Sequence, residues 1–226
     1  SWYFVRAPER SEVESITQWI LRIADGADLM ANTTHDVDFL TGCYNTLPNQ
    51  VLSELIINNM REIGTPTYNK EDLQFAKEMS ESISPEEKRR ALQRSKRPDW
   101  QKLIDIDIDT SVPDPWDDGV TWPWSTDVAD VSWQAPTKGF TTATYILGTP
   151  GHSWQNVTFS KSSIGHKSLL FASKVIACST LDLITKPKLL KRVKQEFTER
   201  MKNATYICSI PPDLKPPLDQ LPATKT

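Results

Sequence analysis

Four stretches decide the fold class: Val128-Ala-Asp-Val-Ser-Trp-Gln-Ala135, the turn Pro136-Thr-Lys-Gly139, the run Phe140-Thr-Thr-Ala-Thr-Tyr-Ile-Leu147, and the apolar segment from Lys167 to about Ile184. The first and third are short, rich in β-branched and aromatic residues, and separated by turn residues, which predicts two strands. The last carries Leu169, Leu170, Ala172, Val175, Ile176, Ala177, Leu181 and Leu183. A helix so apolar on every side is expected to lie buried against a sheet. Strands followed by such a helix predict an α/β fold. The same region gathers the chemistry of the chain. Two of the three histidines, His152 in Gly148-Thr-Pro-Gly-His-Ser-Trp154 and His166 in Ile164-Gly-His-Lys167, stand there with Asp127 and Asp130, which are flanked by Ser125, Thr126 and Ser132. Loops at strand ends are where a rigid scaffold usually displays a site.

Working outward, Trp2-Tyr-Phe-Val5 reads as a strand stopped at Pro8. Ser11 and Glu14 have capping-box spacing, and Val13, Ile16, Ile20, Ile23, Ala24 and Ala27 recur at helical spacing, so a helix is expected to end near Met30. Thr34 to Leu40 alternates, Val37 and Phe39 taking turns with Asp36 and Asp38, and closes at Gly42. Together these predict a βαβ unit with a right-handed crossover. His35 in its second strand reads as structural.

A helix is expected after Pro48, with the stripe Leu52, Leu55, Ile56 and Met60 and a stop at Gly64 and Pro66. Another begins at Asn69 or Lys70, with Leu73, Phe75, Ala76 and Met79 facing inward, and a polar one starts at Ser84-Pro85. Its run Lys88-Arg-Arg90, continued at Arg94 to Arg97, reads as a solvated face. Residues from about 98 to 123 read as an acidic, Trp- and Pro-rich insertion. Its run Asp105-Ile-Asp-Ile-Asp-Thr110 invites a calcium loop, but position six is Thr110 where glycine is needed and position twelve is Trp116 where a bidentate glutamate is needed. A last helix is expected from Pro187 to about Asn203, followed by an irregular tail from Pro211.

At 226 residues the chain is long enough for a sizeable core, and its net charge of −3 argues against nucleic acid as the main partner. No uninterrupted apolar run reaches the roughly 18 residues of a membrane helix, and no signal segment opens the chain, so no membrane and a cytoplasmic location are expected. Three dispersed cysteines, Cys43, Cys178 and Cys208, fit free thiols rather than a disulfide framework. The entry into Trp2 without a methionine suggests that something upstream is missing.

Read from the residues alone, the site is partial. Zinc needs about four ligands, and no HExxH, HxD or CxxC pattern surrounds the two histidines; no Gly-x-Ser-x-Gly elbow marks a nucleophile. Asp127 and Asp130 suit either acid/base work or the capping of the strand expected to follow.

Ser125-Thr-Asp-Val-Ala-Asp-Val-Ser-Trp133, Gly148-Thr-Pro-Gly-His-Ser-Trp154, Ile164-Gly-His-Lys167, Trp2-Tyr-Phe-Val-Arg-Ala-Pro8, Gly42-Cys-Tyr-Asn-Thr-Leu-Pro-Asn49 and Asn59-Met-Arg-Glu-Ile-Gly-Thr-Pro66 together resemble the zinc aminoacylase/carboxypeptidase superfamily. They are most similar to its p-aminobenzoyl-glutamate hydrolase branch, over nearly the whole chain. The resemblance implies a metallopeptidase-like catalytic α/β domain with an α+β lid that also dimerises. Residues 1–45 would be part of the lid, and 46–226 the C-terminal part of the catalytic domain. It further implies a dinuclear zinc or manganese site that activates a bridging water for hydrolysis of an N-acyl or N-aroyl amino acid or a dipeptide. By position, His152 matches the family's last metal-binding histidine, with His166 as second choice, and Thr126, Asp127 and Asp130 would line the substrate. The family's paired catalytic glutamates and remaining ligands match nothing here, so no catalytic residue is expected in this chain. It is expected to need a complementary N-terminal portion or a homodimer made through the lid. The competing expectation is a catalytically incomplete binding or oligomerisation subunit.

Overall fold

The computed structural model describes residues 1–117, 119–122 and 124–214. Asp118 and Pro123, both in the expected insertion, and the tail beyond 214 lie outside the described residues. Helices make up 52% of the chain, and no sheet forms among the described residues. The fold is therefore not α/β, and neither the βαβ unit nor the expected strands are present.

The helices are α1 (Arg10–Ala31), α2 (Gln50–Ile63), α3 (Lys70–Ser80), α4 (Pro85–Arg94), α5 (Val128–Ser132), α6 (Trp154–Ser160), α7 (Ser163–Thr185) and α8 (Pro187–Met201), with a 3-10 turn at Trp100–Leu103. Two compact units divide the chain. The first is Ser1–Pro48, Thr121–Ala135 and Arg200–Thr226, the last described as far as residue 214, and the second is Asn49–Val120 with Pro136–Glu199.

In the first unit, α1 starts two residues earlier than Ser11 and Glu14 imply. The reciprocal cap is made by Glu9 and Glu12, and Asn32 closes the helix in the left-handed region at φ 53°. No residue of α1 is buried. Residues 1–7 and 33–47 form no strand, and Trp2, Phe4, Val37 and Leu40 stay exposed. An alternating sequence becomes a strand only where a second strand takes up its backbone N–H and C=O groups.

Val128 to Ser132 shows why a short apolar alternation misleads. In a helical frame Ala129 and Ser132 fall on one face, and both are buried, while Val128 and Val131 are exposed. The Ser132 hydroxyl folds back onto the Ala129 carbonyl at 2.5 Å. Over so few residues periods of 2 and 3.6 are hard to separate.

The second unit holds the core. Asn49, Asn69 and Ser84 cap α2, α3 and α4 through their side chains. Leu55 and Ile56 of α2 are buried as expected, whereas Leu73 of α3 is not inward: it is half-exposed, and Ala76 and Met79 carry the buried stripe. One cluster joins Ala76, Met79, Ile83, Ile108, Ile146, Phe159 and Ile164, with Phe75 and Tyr68 against it. A second joins Ile56, Phe171 and Val175, with Met60, Ile63 and Phe140 alongside.

Residues 140–147 are irregular rather than a strand. The Leu147 N–H donates to the Asp107 carbonyl at 2.8 Å, and the hydroxyls of Thr142 and Thr144 meet that of Ser168 on α7 at 2.6 and 2.9 Å. The loop expected after Gly148 runs to Ser153, and α6, which the sequence reading does not foresee, follows it directly, capped by Ser153. It is pressed so closely to the start of α7 that a Cβ on Gly165 would stand 2.3 Å from the Phe159 carbonyl oxygen. α7 packs on α2 and α6 instead of a sheet. It is the one helix among the described residues long and apolar enough to cross a membrane, with a mean hydropathy of 1.4 over its most apolar window. A count of apolar residues in a row misses this, because serines, threonines, Lys167, Lys174 and Asp182 punctuate the helix.

Candidate functional site

Thr126, Asp127 and Asp130 belong to the first unit, and His152 and His166 to the second. α5 sets the carboxylates. Asp127 is exposed just before the helix, 3.4 Å from the Thr126 hydroxyl, which accepts the Val128 N–H at 3.3 Å. Thr126 thus makes a local turn bond at the head of α5, and Asp127, the N-cap residue, makes no capping bond through its side chain.

Asp130, half-buried, accepts the Tyr44 backbone N–H at 3.2 Å and the Tyr206 hydroxyl at 3.1 Å. The Tyr44 ring lies between those of Trp133 at 4.9 Å and Tyr206 at 4.8 Å, and its own hydroxyl accepts the Ile207 N–H at 3.0 Å. The Trp133 indole donates to the Asn45 carbonyl at 2.6 Å, and the Leu47 N–H to the Ser132 hydroxyl at 2.8 Å. Asp130 is thereby the clasp that ties Tyr44 and Tyr206 to α5, with Ser132 and Trp133 holding Leu47 and Asn45 beside it.

The electrostatics follow from that clasp. Burial first, and then the Asp130 carboxylate, push the Tyr206 phenol up to about 12. Burial, then the negative charges of Asp130 and Asp127, push the Cys43 thiol up, with Arg10 opposing. The same surroundings oppose formation of a Cys43 thiolate.

The sign of the pH dependence is set by a raised folded pKa on an acid. The clasp contributes its full stability below the unfolded phenol pKa near 10 and loses it as the pH rises through about 12. Asp130→Asn is expected to bring the Tyr206 titration back toward 10, read as the ultraviolet phenolate band with Tyr206→Phe as the blank. An unchanged titration would mean that Asp130 does not hold this phenol.

In the second unit His152 is exposed and sits in the left-handed region at φ 56°, in the turn that leads into α6. The preceding turn is fixed at Gly148, where φ is 91° and a side chain would press on Lys88 at 3.0 Å. His166 is exposed on the first turn of α7, its N–H donating to the Ser162 carbonyl at 3.0 Å. No group of three His, Cys, Asp or Glu residues able to hold a metal occurs among the described residues. His35 pairs with Asp28 at 2.5 Å, and that hydrogen bond raises its pKa, in keeping with a structural role.

The acidic run is also spoken for. Asp107 lies 3.5 Å from Lys88, so the first cation of the run read as a solvated face is in fact paired. Asp109 and Asp99 grip Arg97, the last cation of that run, which is buried and not solvated; it donates to Ser111 at 2.9 Å and lies 5.7 Å from the Trp116 ring. Burial works against the Arg97 charge, but the two carboxylates outweigh it and raise its pKa. Beside this run a groove of about 460 Å³ is lined by Ile83, Lys88, Arg89, Ile104, Asp105 and Asp107, and neither histidine borders it.

Sequence reasoning missed the pair of buried Asp72 and partly exposed Lys167, which joins α3 to α7 with the ammonium 5.7 Å from the Tyr68 ring. Nothing in the spacing could reveal partners 95 positions apart.

The chain is 32% identical over 222 residues to a p-aminobenzoyl-glutamate hydrolase subunit of Escherichia coli (strain K12). The match takes in 95% of the chain and 46% of that protein, so the chain spans about half the length of the curated relative it matches. No protein-family model and no solved structure matches the chain.

Proposed function

We propose that the chain is part of a metal-dependent amidohydrolase that cleaves the amide of an N-acyl or N-aroyl amino acid such as p-aminobenzoyl-glutamate. The observation that carries this reading is the 32% identity maintained across 95% of the chain to a protein named for that hydrolysis. In the reaction, water adds its hydroxyl to the acyl carbon, the C–N bond breaks, and the proton goes to the departing amine. A free acid and a free amino acid result.

A zinc or manganese pair belongs to the proposal as the cofactor of the complete enzyme. The described residues of this chain do not make such a site by themselves. What the chain offers is one exposed imidazole, His152 first and His166 second, to be completed by ligands from elsewhere. Thr126 and Asp127 are its exposed candidates for the substrate wall. Asp130 is engaged with Tyr44 and Tyr206, which suits a positioning part better than direct contact.

The isolation of the two histidines from other ligand types favours a second reading, a binding or oligomerisation subunit without catalysis. The test is His152→Ala in the native assembly. The first reading expects amide hydrolysis to fall by at least about 100-fold on loss of a ligand, with metal content reduced alongside, while circular dichroism of the 226-residue chain stays unchanged because His152 is exposed. Full activity in both His152→Ala and His166→Ala would sink the ligand assignment.

A further inference from the structure

α7 is apolar around its circumference, yet only one stripe of it is covered. Ile164, Ser168, Phe171 and Val175 are buried, the last two against Ile56 of α2. Leu169, Leu170, Ile176, Leu181 and Ile184 point the other way, each 55–73% exposed. They recur at helical spacing along roughly 22 Å of helix, and the centre of their strip holds only Ser173, Ala177 and Thr180, with Lys174 at its edge. Trp154 and Val157 of α6 are exposed as well. Scattered apolar side chains on a surface need no explanation, but a continuous strip of this length marks an interaction surface.

Two observations identify what covers it. The strip has no charge at its centre, which suits an apolar polypeptide surface and neither nucleic acid nor an acidic peptide. More than half of the Escherichia coli relative lies outside its match with this chain, a length ample for the roughly 800 Å² per partner of a standard interface. We propose that the outward face of α7 is the docking surface for the rest of the hydrolase, the polypeptide corresponding to the relative's unmatched portion. The inference rests on the hydrolase reading.

The experiment co-expresses this chain with the unmatched portion of the Escherichia coli relative as a separate polypeptide. A one-to-one complex is expected from the wild-type chain. Leu170→Lys with Ile176→Lys is expected to reduce its recovery at least about tenfold, since burying two ammonium groups is unfavourable. The same pair leaves the melting of the isolated chain unchanged, both positions being exposed, which separates lost docking from lost folding. Ile23→Lys on exposed α1 leaves the complex intact.

Lack of a wild-type complex, or a complex indifferent to the α7 lysines, overturns the proposal. So does wild-type binding of the isolated chain to phosphatidylglycerol vesicles through this face, or its dimerisation through this face, each abolished by the lysines. Hydrolysis of p-aminobenzoyl-glutamate by the complex is read separately. A lysine-sensitive complex without activity keeps the docking surface and removes the functional reading.

Discussion

Phe159→Ala is expected to cost the second unit about 3–5 kcal/mol, the largest stability effect of any single substitution considered for this chain. Phe159 is fully buried and meets the Phe75 ring edge-on at 5.3 Å. Around it stand Ala76, Met79, Ile83, Ile108, Ile146 and Ile164, so elements from α3 to α7 lose a shared contact at once. The cavity cannot close by moving α6 toward α7, because the Phe159 carbonyl already sits where a Gly165 side chain would be. Urea titration followed by circular dichroism measures the loss. Val157→Ala on the same helix, at a position 73% exposed, should change the stability by no more than about 0.5 kcal/mol. Equal effects from the two substitutions would contradict the packing described.

Asp72→Ala is expected to cost about 2 kcal/mol, because it removes a buried carboxylate that caps α3 and leaves Lys167, whose side chain stays about a third exposed, without that partner. Asp72 is almost wholly buried. Its carboxylate takes the Lys167 ammonium and the Asn69 N–H, the latter at 2.9 Å, and so completes the capping box of α3. Burial alone would raise its pKa, but Lys167, the Asn69 N–H and the Ser163 hydroxyl together hold it below the usual carboxylate value.

A depressed folded pKa means that this stability is present above the unfolded value near 4 and is lost as the pH falls through the folded one. The wild-type chain should therefore weaken in acid below about pH 4, and Asp72→Ala should show a flatter profile there. Asp72→Leu combined with Lys167→Met should recover part of the loss, since replacing both partners leaves no stranded charge. A double variant less stable than Asp72→Ala alone would show that the pair does more than neutralise itself.

The helices were legible where the signal is local. Asn69 and Ser84 announced α3 and α4 by their caps, Gly64 ended α2, and Pro187 opened α8. α6 was hidden inside a Gly- and Pro-rich loop pattern, although Ser153 three residues before Asn156 is an ordinary capping signal. The sheet failed because strand formation is not a local property. Phe140 to Leu147 has the composition of a strand, but its Leu147 N–H and its threonine hydroxyls find Asp107 and Ser168 instead.

The apolar character of α7 was read correctly, and its burial was not. Periodicity reports that a face is apolar without reporting what covers it. The candidate site divides in the same way. His152 and Asp127 were visible as residue types in turns, while the clasp on Asp130 depends on Tyr44 and Tyr206, 86 and 76 positions away. No spacing rule reaches that far.

The most direct test of the hydrolase reading is to purify the native protein carrying this sequence from its own cells, supply zinc or manganese, and measure p-aminobenzoate released from p-aminobenzoyl-glutamate. The account predicts release of p-aminobenzoate and glutamate in equal amounts, abolished by a chelator and restored by the metal. Absence of release from that native assembly with either metal, on this substrate and on other N-acyl amino acids, would contradict it.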